Sequence, residues 1–204
     1  MSLQNLIVGI SGEKGAGKST LLRHLARDEP ALALVDTLGE HEAWCPRHPG
    51  SPRQQIIDLA EPPETFAWSF LLDSNSPKAE AAHFNALARA AYRAGDLTFC
   101  IEECDRYSKA GSDLPGLKIL YDYGRHRRVN VVWLTRNLDA VSRRLTSQTD
   151  VFYFFRQTEP LYIGGIEDRV GPEIALEVQK LPKFHYIMCA KEQEPVRGVV
   201  AIEN

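Results

Sequence analysis

Residues 12–19 set a lysine and a hydroxyl behind a run of glycines. Gly12, Glu13, Lys14, Gly15, Ala16, Gly17, Lys18 and Ser19 satisfy the pattern G-x-x-x-x-G-K-[ST] in full. Glycines at these positions let a backbone curl closely around an anion, its N–H groups pointing inward. Lys18 is then placed to reach the β- and γ-phosphates of a nucleoside triphosphate such as ATP, and the Ser19 hydroxyl to hold its Mg²⁺. Together with Thr20 these residues form the candidate nucleotide site. A second cluster stands at Glu102 and Glu103, adjacent acids that end the apolar run Leu97 to Ile101. One carboxylate on the metal and the next on a water suits hydrolysis: Glu102 is the candidate metal ligand and Glu103 the candidate base. The first acid of such a pair is more often Asp, so Glu102 brings one methylene more to be accommodated.

These groups need elements to position them. Leu6 to Ile10 reads as a buried strand before the glycine loop, and Thr20 to Arg27 as a helix after it, so that loop amides and helix N-terminus face one anion. Further strands are expected at Ala31 to Asp36, Thr65 to Leu72, Leu97 to Ile101, Val129 to Thr135 and Val151 to Phe155. Ser76 and Pro77 open an Ala-rich helix that runs to Ala94 and stops at Gly95; helical patterns also cover 113–127 and 138–145. His41 to Arg53 reads as loop. Phe184 to Ala190 and Val196 to Ile202 read as a hairpin beyond the core. Strands alternating with helices predict an α/β fold, a mostly parallel sheet covered on both faces with a small C-terminal β extension. One domain over 1–204 is expected, its core at about 6–160 and the extension at about 161–204.

The chain of 204 residues has a formal charge of −3, so a nucleic-acid partner would need a local basic patch or an oligomeric pore. No apolar run approaches the ~18 residues of a membrane span, which predicts a soluble, cytoplasmic protein. The four cysteines read as reduced thiols. His41, Cys45 and His48 lie close in sequence, but no second pair of ligands accompanies them; a surface loop is the favoured reading over zinc.

Several stretches resemble the FtsK/HerA superfamily of P-loop ATPases. Among these, the similarity is greatest to the small genome-packaging ATPases of tailless, membrane-containing double-stranded DNA viruses. Val35 to Glu40 resembles the D-x-x-G-E that closes the second strand of HerA-like members. Gly124 to Asn137 resembles their Arg-bearing helix end, apolar strand and polar tip, and Val141 to Leu145 with Gln148 to Arg156 resembles the run that follows. The resemblance implies a RecA-like (ASCE) fold with an extra strand between those of the two motifs. It also implies Mg²⁺-dependent ATP hydrolysis and a homo-oligomeric ring, pentamer or hexamer, that translocates double-stranded DNA. The expected partner is a capsid or portal-vertex protein, in the host cytoplasm or at the virion vertex. By the same resemblance Arg125 acts on a neighbouring subunit's nucleotide, and Arg136 stands where the family usually has a Gln that senses the γ-phosphate.

Alternatives from other classes remain. A small-molecule or nucleoside kinase would use the same glycine loop, with Arg143 and Arg144 as a lid; a slow nucleotide-gated assembly switch would need no fast turnover. A GTPase is excluded: Asp36 to Gly39 matches D-x-x-G, but no N-K-x-D motif reads guanine.

Overall fold

The structure, a computed structural model, describes residues 6–72 and 76–201. Its centre is an eight-stranded sheet of β1 (Ile7–Ser11), β2 (Ala31–Val35), β3 (Phe66–Phe70), β4 (Leu97–Ile101), β7 (Val129–Thr135), β8 (Val151–Phe155), β9 (His185–Ala190) and β10 (Val196–Val199). A two-residue hairpin, β5 (Ser108–Lys109) and β6 (Ser112–Asp113), stands apart. The spatial order is β10-β9-β8-β1-β7-β4-β2-β3. Strands from β8 to β3 run parallel, and β9 and β10 add antiparallel at the β8 edge. The C-terminal hairpin therefore extends the main sheet. Ile202, the end of the expected last strand, lies outside the described residues.

β7 sits between the glycine-loop strand β1 and the Glu102 strand β4. The strands that separate the two motifs in sequence, β2 and β3, lie beyond β4 instead. The additional strand of the fold is thus one that follows both motifs along the chain, and the long interval between them is not its source.

Period-two alternation divides the core. Phe99, Ile101, Val131 and Trp133 face one side, with Phe84 and Leu87 of α3 (Pro77–Ala94), Leu120 of α4 (Pro115–Tyr123), Leu145 of α5 (Arg143–Gln148), Ile166 of α6 (Pro160–Val170) and Val178 of α7 (Pro172–Gln179). Leu59 of α2 (Pro52–Ala60) joins them. Cys100, Val132 and Leu134 face the other side, with Leu21 and Leu22 of α1 (Lys18–Ala26), Cys45 and Val200. Helices cover both faces, unequally.

The Ser76 hydroxyl accepts from the Ala79 N–H at 3.1 Å, Pro77 opens α3, and Gly95 ends it at φ 71°. The 113–127 pattern resolves differently: Asp113 belongs to β6, the α-helix ends at Tyr123, and a 3₁₀ turn carries Gly124–Arg127. Likewise, 138–145 breaks into a 3₁₀ turn over Leu138–Ala140 and the start of α5. Asn137 and Ser142 each supply a capping oxygen, so the chain begins two helices where periodicity suggested one. Among the described residues no helix is long and apolar enough to cross a membrane.

Candidate active site

Register brings the chemistry to one end of the sheet. Ser11 pairs with Thr135, Ile101 with Trp133 and Val35 with Ile101. The glycine loop, Arg136, Glu102, Glu103 and the turn after Asp36 consequently leave the same C-terminal edge. A cleft of about 470 Å³ opens there, walled by Lys14, Lys18, Ser19, Glu102, Glu103 and Arg136. Gly15, Gly17 and Thr20 also line it.

The loop is built to receive an anion. α1 starts at Lys18 with Gly17 as N-cap and no side-chain cap, so its first-turn N–H groups stay open to the cleft. Gly17 sits at φ +120°, where a Cβ would lie 2.9 Å from Phe155 Cε1 and 3.0 Å from Phe184 Cδ1. Glu13 serves the loop from outside: its carboxylate accepts from Arg156 Nε at 2.6 Å and Thr158 Oγ1 at 2.8 Å, and its N–H donates to Arg156 O at 2.9 Å. Ala16 is buried and accepts from the Phe184 N–H at 2.9 Å.

Lys18 folds back, donating to Gly12 O at 2.7 Å and Glu13 O at 2.9 Å. Burial, followed by the nearby Arg136 charge, brings its pKa down to about 8, and Glu102 and Glu13 oppose that fall only in part. Ser19 Oγ donates to Glu102 Oε1 at 3.1 Å. A serine hydroxyl and a carboxylate side by side are hard oxygen donors that fit Mg²⁺. Glu103 is held differently from its neighbour. Its backbone is left-handed at φ 46°, a sparsely populated conformation that concentrates at functional sites. Its carboxylate is held loosely between Arg136 Nη2 at 3.4 Å and Arg106 Nη1 at 3.6 Å.

His41, Cys45 and His48 do not form a site. Cys45 is buried in the core, and burial with the Asp36 charge pushes its thiol up to about 12. His48 is buried against Trp68 and Phe70 and meets Asp58 at 3.1 Å. His41 turns into the nucleotide end, its Nε2 2.7 Å from Glu102 Oε1. Burial alone would depress its pKa; Glu102, Asp36 and Glu40 together raise it. Trp44, whose indole can only donate, meets Nδ1 at 2.9 Å and keeps the proton off that nitrogen in this geometry.

Arg125 is elsewhere. It is exposed on the 3₁₀ turn before β7, at the opposite end of that strand from Arg136, roughly 20 Å of strand away. Among the described residues no side chain pairs with its guanidinium. Of the neighbouring arginines, Arg127 donates to Tyr92 O at 3.3 Å, Arg128 pairs with Asp96, and Arg144 with Asp122 at 2.8 Å. The basic density of this stretch is thereby mostly spent on structural partners.

Lys183 and Phe184, at the start of β9, also line the cleft. Sequence reading assigned them to the extension, and nothing in their local pattern marks a contact made through sheet pairing. No local pattern marks the approach of His41 to Glu102 either.

The fold is that of a RecA-like P-loop NTPase with an additional strand between the two motif strands. Its structural neighbours are P-loop ATPases of FtsK/HerA type. The genome-packaging NTPase B204 of Sulfolobus turreted icosahedral virus 2, solved with sulfate, superposes with a TM-score of 0.79 at 17% identity over 100% of both chains. Its complex with AMPPCP gives 0.80 at 17% identity, covering 97% of this chain and 98% of that one. The bacterial conjugative coupling protein TrwB gives 0.70 at 11% identity, over 98% of this chain and 86% of that one. At such identities the likeness is one of fold. No family model and no curated protein matches the sequence.

Proposed function

We propose that this chain, as one ATPase unit, hydrolyses ATP with Mg²⁺ and that a ring of such units drives double-stranded DNA into a viral capsid. The observation that carries the hydrolytic reading is the convergence of Lys18, Ser19, Glu102 and Glu103 on one cleft. Packaging is supported by end-to-end likeness in fold to an NTPase described as genome-packaging, with no part of either chain left over.

In this reading Lys18 exchanges its carbonyl partners Gly12 and Glu13 for β- and γ-phosphate oxygens, and the open N–H groups of α1 take the phosphates. Ser19 and Glu102 would hold Mg²⁺, which would supply positive charge to offset that of the phosphates. Glu103 takes the proton of the attacking water as the γ-phosphoryl passes to that water and its bond to the β-phosphate oxygen breaks. For this Glu103 must leave Arg136, and a γ-phosphate competes for the same guanidinium. Arg125 cannot reach its own chain's cleft from the far end of β7. It would serve a neighbour's, where a planar guanidinium stabilises charge on several oxygens.

The test is phosphate release from ATP across protein concentrations, with and without double-stranded DNA. Turnover that climbs with concentration and with DNA is expected. Turnover that requires a small phosphoryl acceptor and ignores DNA would replace the motor with a kinase.

A further inference from the structure

Glu102, the proposed Mg²⁺ ligand, has a second neighbour besides Ser19 that no motif predicts. His41 is 4% exposed and sets Nε2 2.7 Å from the same oxygen, Oε1, on which Ser19 Oγ donates at 3.1 Å. Asp36, His41 and Glu102 present possible ligand atoms within 4.8 Å of one another, as a cation cage would.

Hydrogen bonding argues against direct ligation by this histidine. Nδ1 accepts from the Trp44 indole at 2.9 Å, and an indole has no other role than donor. With Nδ1 unprotonated, the neutral ring carries its hydrogen on Nε2, which then has no lone pair for a metal. A ligating histidine shows the reverse pattern, donating from its other nitrogen to an acceptor. Asp36 is committed as well: its carboxylate accepts the backbone N–H groups of Gly39 at 2.8 Å, Glu40 at 3.1 Å and His41 at 3.0 Å. Those bonds shape the turn that presents the imidazole. The pairing of Val35 with Ile101 then lays the turn beside Glu102.

We infer that His41 is a positioning residue for Glu102. A glutamate has one more rotatable bond than the aspartate more usual at this place, and its carboxylate is here buried. Ser19 Oγ, from α1, donates to Oε1, and His41 Nε2, brought by the turn after β2, sits 2.7 Å from the same oxygen, so both crowd Oε1 and leave Oε2 to neither. The contact is short without meeting hydrogen-bond geometry, so it holds Oε1 by close electrostatic approach and not by a well-aligned hydrogen bond. Loss of such an orienting partner weakens metal affinity by about 10- to 100-fold, and a poorly aligned contact belongs at the lower end. The inference rests on Glu102 being the cation ligand, as the proposed function has it.

Mn²⁺ binding to the full chain, followed by electron paramagnetic resonance with a non-hydrolysable ATP analogue present, tests it. His41→Phe removes the donor, and His41→Gln keeps an N–H at similar reach. We expect about tenfold weaker Mn²⁺ binding in His41→Phe and recovery to within about twofold in His41→Gln, with affinity for the metal-free analogue unchanged in both. Wild-type Mn²⁺ affinity in His41→Phe, or equal loss in both variants, would overturn it. Should His41→Phe not fold, His41→Gln decides alone, a tenfold loss sinking the idea and near wild-type binding supporting it. Glu102→Gln separates the two levels. If it leaves Mn²⁺ binding intact, the reading of Glu102 fails and this inference with it; if it weakens binding and His41→Phe does not, only the role of His41 falls.

Discussion

At the C-terminal ends of β1, β4 and β7, charged side chains converge on a common cleft: Glu102 is buried, Lys18 and Glu103 are half-buried, and Arg136 is exposed. Lys18 turns onto loop carbonyls, Glu102 lies under Ser19 and His41, and Glu103 is held loosely by two arginines. At the N-terminal ends of β4 and β7, Arg127 caps the last carbonyls of α3 and Arg128 pairs with Asp96 at the surface. The contrast follows from the parallel sheet. Each of the six parallel strands points its exit, and the N-terminus of any helix that follows, to one side, so phosphate chemistry collects there. The other side is left to structural pairing, which is why an exposed arginine with no partner among the described residues, Arg125, stands out.

The largest effect should come from joining the two ends. If the proposed ring forms, Arg125→Ala is expected to cut its turnover by about 10³- to 10⁵-fold while leaving nucleotide binding by a single chain unchanged. Mixed with Glu103→Gln chains, it should recover activity in steady-state assays, because each variant supplies the end the other lacks; no recovery would confine catalysis to one chain. Glu103→Gln alone is expected to lower turnover by about 10²- to 10⁴-fold with analogue affinity retained, as measured by single-turnover assay and equilibrium titration.

A pH titration sharpens the electrostatic side of the contrast. Lys18 loses its charge as pH rises through about 8, because burial and Arg136 depress it. Analogue affinity should be flat below that pH and fall by about tenfold per unit above it. Arg136→Gln removes one cause and should move the break to higher pH. The smallest expected effect lies at the far end. A Cβ at Gly95 would approach Arg127 O to 2.7 Å with φ at +71°. Gly95→Ala should therefore cost about 1–3 kcal/mol in chemical denaturation and leave the specific turnover of folded protein unchanged.

Local signals made part of this legible. The glycine loop, the Ser76–Pro77 start and Gly95 stop of α3, and the alternation in β4 and β7 are each set by neighbours along the chain. What needed the fold was missed. α6 carries Gly164 and Gly165 in its interior and neither α6 nor α7 has a side-chain N-cap, so only Pro160, Gly171 and Pro172 mark their ends. α2 opens with Ser51 and Pro52, and Ser51 accepts from Gln54 N; the signal that revealed α3 was present there too, at the end of a segment read as loop. His41 meets Glu102 only because β2 pairs with β4, and no local pattern carries that contact.

Phe184 ties the tail of the chain to the glycine loop. Its N–H donates to Ala16 O at 2.9 Å, its carbonyl accepts from Val200 N at 2.9 Å, and its ring lies where a side chain on Gly17 would be. Among the described residues β10 pairs with β9 and forms the sheet's outer border. The last strands are thus joined to the glycine loop through one residue, so the sheet's border and the phosphate end share a single backbone link.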